Sequence, residues 1–348
     1  MTGDREHGGS ARADRALRTP PSGASDAGGG PDADPRRAGR QASRRRRAAA
    51  RVAQAAIVAA SAYFLAAYLA RSWGSIQGFD WRLDLRWLVA SGLVFLAYYF
   101  AQAGLWWLLL RGCGVRSPFW PAASVWGKSI LARYVPGNVF MFVGRAWMSH
   151  SQGHAVERVT AAMLYEQALG VCGALLAVAA LFPFWEYRPG ATALSLLALP
   201  LLVALMHPRV FRPLADRVLR LARRPPLEIV VGFRAVLVLL CLFVADWFVG
   251  GLGAWMLARA VTGLGADALP VVIVAHALAY VAGMAAFFVP SGIGVREAVL
   301  TASLSRALPG GVALTWALFL RLWVTLVELL FVALVAAADA VLRRRAAG

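Results

Sequence analysis

The chain has 348 residues, 59% of them hydrophobic, with 36 Lys and Arg against 18 Asp and Glu, a formal net charge of +18. So apolar a composition excludes an ordinary soluble domain, and the length is far beyond a single membrane anchor. The arginines gather at the ends of apolar segments, where inside-positive topology accounts for them, so nucleic acid is not the reading of the charge.

Residues 1–43 are rich in Gly, Pro, Ser, Asp and Arg and carry hardly any apolar residue larger than Ala. Such a segment cannot bury enough surface to offset its ordering entropy, and it has no apolar core of a cleavable signal. It is expected to be a disordered, basic, cytoplasmic tail, followed over 44–348 by the transmembrane domain. "RRRRAAAR" (44–51) then holds the N-terminus inside and lies ready for anionic headgroups.

Runs of the length that spans a bilayer core recur from there. Six full spans are predicted, at about 52–70, 87–110, 159–181, 191–206, 235–257 and 312–338. Two further apolar stretches, about 119–148 and 270–306, are interrupted, the first by "RYVPGNVFMFVGR" (133–145) and the second by "FFVPSGIGVRE" (287–297). The loop 207–228 holds six arginines and the C-terminus carries "RRR" (343–345), so both read as cytoplasmic. The basic regions share one side only if each interrupted stretch crosses an even number of times. With halves mostly near 15 residues or fewer, re-entrant hairpins follow, one from the cytoplasm and one from outside.

The fold class is therefore all-α: a polytopic helical membrane protein of about six spans plus two broken re-entrant hairpins. The hairpins echo each other. Each has Val-Pro, a Gly within two positions and an Arg six to nine residues on, and each is followed by a span with a glutamate, Glu166 or Glu328. Half-repeats at about 52–185 and 191–340, of opposite orientation, would place two discontinuous helices near mid-membrane, a transporter design.

Ionisable residues expected in the membrane are Lys128, Arg133, Arg145, Glu166, Asp246, His276, Arg296, Glu297, Arg321 and Glu328. A charge at bilayer centre costs about 2.5–3.5 kcal/mol on insertion scales, so each calls for a partner or a polar cavity. Arg321 and Glu328 are too far apart along one helix to pair, so each needs a partner elsewhere. Mutual structural pairing is an alternative to substrate binding for the set. Asp246 and His276 read as satisfied by helix neighbours. Lys128 is the single lysine among the 36 basic residues, and a compact ammonium there stands out, although it and Arg133 have stems long enough to snorkel to the surface. With His276 neutral the set has five cations and four anions, a slight lean toward an anionic ligand.

Proline removes a backbone donor and glycine permits positive φ, so amides and carbonyls around Pro136, Gly137 and Asn138, and around Pro290, Ser291, Gly292 and Gly294, lose helical partners. In lipid such groups must face protein or water. A nest of amides in "PSGIGV" would bind an oxyanion, with Arg296 beside it and Glu297 placed to neutralise that arginine when the site is empty. "GIG" lacks the strand and the further Gly or Gly-Lys-Ser/Thr of a nucleotide loop. The three cysteines, Cys113, Cys172 and Cys241, lie apart in apolar or interfacial sequence and read as packing residues. No metal or other cofactor is called for.

"KSILARYVPGNVFMFVGR" (128–145), "LYEQALG" (164–170), "VPSGIGVREAVL" (289–300) and "RLWVTLVELL" (321–330), in that order, resemble the lysylphosphatidylglycerol synthase transmembrane domain family of flippase-like membrane proteins. The resemblance covers about 52–340. It implies a multi-pass protein of the cell membrane that moves or handles anionic lipids: aminoacylated phosphatidylglycerol or, in other members, polyprenyl-phosphate-linked sugars. By motif it carries over Lys128, Tyr134, Pro136, Gly137, Gly144, Arg145, Glu166, Pro290, Gly292, Gly294, Arg296, Glu297, Arg321 and Glu328 as substrate-binding positions. Full-length lysyl-transferring members carry a soluble synthase domain after the membrane part. Here "RRRAAG" follows the last span directly, so aminoacyl transfer is not carried over.

The expectation is a transporter of an anionic lipid, its headgroup held between two broken helices. Its partners are the membrane and a phospholipid or polyprenyl-phosphate lipid, with a homo-oligomer left open. The alternatives are an accessory subunit of envelope lipid synthesis that uses its basic tail for partners, or a polyprenyl-phosphate-dependent glycosyltransferase. The latter wants an acidic external metal site, for which "DWRLD" (80–84) is the nearest candidate and a solvated loop the plainer reading. No other grouping suggests catalysis.

Overall fold

The computed structural model describes residues 63–347 except 64–65, 133–138, 186–188, 222–230, 287–288 and 290–291. The basic tail, most of the first expected span, and Arg133, Tyr134, Pro136, Gly137, Asn138, Pro290 and Ser291 lie outside the described residues. The described residues fall in one compact unit, Arg51–Gly348, with helices and no strand among them. An all-helical membrane protein is the outcome that lipid imposes, because a helix satisfies its own backbone donors and acceptors.

After a short helix α1 (Trp73–Gln77), the chain forms α2 (Leu85–Gly112), α3 (Phe119–Leu131), α4 (Val139–Ser151), α5 (Val156–Trp185), α6 (Pro189–Leu205) and α7 (Pro208–Leu221). It continues as α8 (Phe233–Thr262), a 3-10 turn (Ala266–Ala268), α9 (Leu269–Ala285), α10 (Val295–Leu304) and α11 (Gly310–Ala347). Stretches long and apolar enough to cross a membrane are Leu85–Gly112, Val156–Trp185, Phe233–Thr262, Ala266–Ala285 and Gly310–Leu342, with Thr192–Leu205 and Pro208–Arg217 forming a pair bent by 75°. The chain is a multi-pass membrane protein.

Two details depart from the sequence reading. Three of the four arms of the interrupted stretches are short: α3 and α4 have 13 residues each and α10 has 10. At 1.5 Å per residue these reach only about 15–20 Å of a roughly 30 Å hydrocarbon core. The fourth arm, Ala266–Ala285, is 20 residues long once its 3-10 turn is counted, and is long enough to cross. The arginine-rich segment read as a loop holds α7 instead, because its apolar and basic residues alternate with helical period.

The contacts between helices pair off across the two halves. Exchanging α2, α3, α4 and α5 with α8, α9, α10 and α11 turns each contact into another observed contact. Thus α5 against α9 matches α11 against α3, and α5 against α8 matches α11 against α2. The most extensive interface, α2 against α8, maps onto itself. It depends on "GGLG" (250–253). A Cβ on Gly251 would lie 2.8 Å from the Cα of Ile273 on α9, and one on Gly253 would lie 3.2 Å from the ring of Phe95 on α2. Small residues let three backbones converge, which matters because apolar side chains gain little by leaving lipid for protein. Ser91 of α2 closes the contact by donating to the Gly253 carbonyl at 2.8 Å.

Candidate functional site

The second arm of the first interrupted stretch, α4, turns Arg145 inward until it is 1% exposed. Its Nη1 donates to Glu166 Oε2 on α5, and its Nε donates to Ser129 Oγ on α3 at 2.9 Å. The guanidinium lies 4.6 Å over the ring of Trp106 on α2. The remaining carboxylate oxygen of Glu166, Oε1, accepts from Trp126 Nε1 at 2.7 Å. Four helices thus converge on one buried ion pair, as an arginine and a glutamate withdrawn from water require.

The second half repeats the join with the charges exchanged. Glu297 on α10, 2% exposed, accepts from Arg321 Nη1 on α11. Its other oxygen reaches back to the Gly294 amide at 2.6 Å, capping α10. This corrects one expectation: the Gly294 amide, expected to be open to an oxyanion, is bonded to Glu297. Glu297 also takes Arg321 of α11 as a partner, which its neighbours in sequence did not indicate.

Arg296 instead turns toward the centre, where its guanidinium stands 5.9 Å from the centroid of the Tyr280 ring. Its stem is seated on glycine. A Cβ on Gly283 of α9 would meet Arg296 Cγ at 2.8 Å, and one on Gly292 would meet the Gly283 Cα at 2.9 Å. Gly292 also has φ +64°, a conformation that side-chain-bearing residues rarely adopt. Gly283 and Gly292 therefore shape the approach of Arg296 to α9.

Arg145, Glu166, Gly292 and Arg296 line one cavity of about 280 Å³. Aromatic side chains make much of the remaining wall, with Tyr98 and Tyr99 from α2, Trp126 from α3, Trp247 from α8 and Tyr280 from α9. Gln102, His276 and Met284 also line it. A second cavity of about 60 Å³ lies against Glu297 and Arg321 and shares His276 and Arg296 with the first. Glu328, fully buried, does not line either cavity but accepts from the hydroxyl of Tyr99, which does line the first, at 3.0 Å. Both expectations of a distant partner for Arg321 and Glu328 are met, by Glu297 and Tyr99.

Lys128 is exposed near the end of α3 and lines neither cavity. Gly144 has open space where a Cβ would point and is also outside both linings. Asp246 accepts from Gln102 on α2 through Oδ2, the helix neighbour expected for it, while its buried Oδ1 has no hydrogen-bond partner among the described residues. His276 differs, for it faces both cavities between the rings of Phe95 and Trp247. The residues that sequence reasoning missed are the neutral ones: Tyr98, Tyr99, Gln102, Trp126, Tyr280 and Gly283. "YYFAQ" (98–102) carried a usable signal, since Tyr98 and Gln102 stand one turn apart on α2 and Gln102 donates to the Tyr98 hydroxyl at 3.2 Å.

In "DWRLD" Asp80 pairs with Arg82 at 3.2 Å and Asp84 caps α2 by accepting from the Arg86 amide at 2.9 Å. Among the described residues no group of three or more His, Cys, Asp or Glu is arranged to hold a metal ion.

The family model described as "Lysylphosphatidylglycerol synthase TM region" matches residues 51–335. No curated protein and no solved structure matches the chain.

Proposed function

The chain belongs to the lysylphosphatidylglycerol synthase TM region family, and from that premise we propose that it carries an anionic, phosphate-bearing lipid across the membrane with the headgroup held between Arg145 and Arg296. One observation supports this reading above the rest: arginines from the two interrupted stretches line the same cavity, where Glu166 is the one carboxylate among the described lining residues. Among the described lining residues two guanidiniums face one carboxylate, which leaves an excess of cationic groups walled by aromatic rings. In so poorly solvated a place a phosphate oxyanion gains far more from a guanidinium than it would in water.

At about 280 Å³ the cavity lies near the lower bound of small-molecule sites, roughly 300 Å³. It suits a headgroup, with the acyl or polyprenyl chains left in lipid. The two interrupted stretches would act as re-entrant hairpins of an inverted repeat, and the paired helix contacts agree with that arrangement. Within the site the roles divide. Arg145 is held by Glu166 and Ser129 and serves as a fixed wall. Arg296, on its glycine seat, is the residue that meets the incoming headgroup.

The test is lipid movement in reconstituted vesicles, read as reduction of a headgroup-labelled phosphatidylglycerol by an impermeant reductant. Arg296→Gln should lower the rate to that of protein-free vesicles while the protein elutes and melts as wild type. An unchanged rate in the variant would rule the reading out.

A further inference from the structure

Helix α7 is not part of the cavity and has a chemistry of its own. Its four arginines, Arg209, Arg212, Arg217 and Arg220, are all exposed and fall on one arc of the helix together with Asp216. Val210, Phe211, Leu214 and Ala215 fall on the other. Phe211 and Ala215 are buried in the protein core, with the Phe211 ring 4.8 Å from that of Tyr165 on α5. Val210 and Leu214 belong to the same apolar arc but turn outward and stay 46% and 49% exposed. Docking in the protein core therefore accounts for only two of these four apolar residues.

The setting says what meets the other half. Helix α6 presents Leu194, Leu197 and Leu201 outward, as a lipid-facing helix does. The chain then bends by 75° into α7. If α6 crosses at an ordinary tilt, about 20°, α7 runs close to the membrane plane. A helix so placed, apolar below and arginine-rich above, has the form of an interfacial helix.

We propose that Pro208–Leu221 is such an interfacial helix, and that it gathers anionic phospholipid at the rim of the protein by setting Val210 and Leu214 among acyl chains and its arginines on phosphate headgroups. This site is separate from the cavity and does not depend on the transport reading. Its role is to hold a local pool of anionic lipid, because each basic residue near such a surface adds attraction that falls off within a Debye length.

The test uses the full chain in vesicles of phosphatidylcholine and phosphatidylglycerol, with Cys113, Cys172 and Cys241 replaced by Ser and a bimane probe attached through Leu214→Cys. Brominated-chain phosphatidylglycerol should quench the probe at least about two-fold more strongly than brominated-chain phosphatidylcholine, and high salt should reduce the preference. Arg209→Gln, Arg212→Gln, Arg217→Gln and Arg220→Gln together should bring the ratio to about one while some quenching by both lipids remains. Arg296→Gln should leave it unchanged, which separates this site from the cavity. A ratio near one in the unsubstituted helix would overturn the proposal. So would a probe that no brominated lipid quenches: water-like emission would mean a solvated helix, and apolar emission would mean a face covered by a second copy or another protein. Val210→Cys is the second position, and must agree.

Discussion

Arg145 on α4 is bonded to Glu166 on α5, and the corresponding helices of the other half, α10 and α11, are joined by Glu297 and Arg321 with the charges exchanged. Each second arm is thus tied to the long helix after it by one ion pair. The two pairs are not equally sheltered. Arg145 and Glu166 are both deeply buried, whereas the Arg321 side chain is 26% exposed.

The deeper pair should dominate stability. Arg145→Ala leaves Glu166 buried without its cation, a loss of about 3–5 kcal/mol for a broken buried pair. It should melt well below wild type in detergent, so its loss of transport would not separate folding from function. Arg145→Met with Glu166→Leu, which removes both charges, should recover much of the melting temperature. Equal melting of Arg145→Ala and wild type would show that the pair does not hold α4 to α5.

Trp126→Phe provides a milder probe of the same network. It removes the donor to Glu166 Oε1 together with part of the buried ring volume, so a cavity cost adds to the lost hydrogen bond. Leaving a buried acceptor unmet should cost about 1–3 kcal/mol. Thermal unfolding followed by size exclusion would measure this, and no change would mean that the carboxylate finds another donor.

Glycine substitutions should sort into two kinds. Gly251→Ala puts a Cβ 2.8 Å from a backbone atom of α9, so helices must separate and the folded yield should fall. Gly283→Ala meets a side chain instead, Arg296 at Cγ near its backbone end, so Arg296 should be displaced at a smaller cost to the fold than a backbone clash brings. Transport by Gly283→Ala should fall by more than its melting temperature suggests. Wild-type transport in that variant would mean that the glycine seat does not set the position of Arg296.

Native thiols should label unequally. Cys113, just past the end of α2, is buried, and burial pushes its thiol up to about 11. Thiolate is the reactive form, so raising the pH from 7 to 9 should not bring Cys113 into reaction with a maleimide in the folded protein. Cys172 is also buried, while Cys241 is exposed. Mass spectrometry should find Cys113 and Cys172 unlabelled before unfolding and all three cysteines labelled afterwards, with Cys241, exposed on a membrane-crossing stretch, reacting only where lipid or detergent leaves it open to water. Labelling of Cys113 in the folded state would show that the α2–α3 corner opens.

Orientation can be tested by the same chemistry. With the arginine-rich segment facing the cytoplasm, a cysteine at position 216 on a cysteine-free background should resist an impermeant reagent in intact cells. Positions near 182–190 and 259–269, where α5 gives way to α6 and α8 to α9, should react. Labelling at position 216 would reverse the assigned orientation.

Membrane insertion, helical class and the family were legible in the sequence, because hydropathy and spacing are local properties that lipid reads directly. So was the set of charges, since an ionisable residue in an apolar run needs a partner wherever the fold supplies one. The partners themselves were not legible. Glu166 meets Arg145 and Glu297 meets Arg321 across sequence separations of 21 and 24 residues. Local order did not foretell that Glu297 would bond Arg321 while Arg296, its neighbour in the chain, would reach the larger cavity as well as the smaller one they share. That depended on how α10 is rotated against α9, which the seating of Arg296 on Gly283 and Gly292 reflects. The tyrosines and tryptophans of the cavity stayed hidden for a related reason: in an apolar helix an aromatic ring looks the same to hydropathy whether it faces lipid or a cavity. Only the packing of α2, α8 and α9 against one another decided which way Tyr98, Trp247 and Tyr280 would turn, because side-chain direction follows helix rotation, and rotation is set by contacts far away in the chain.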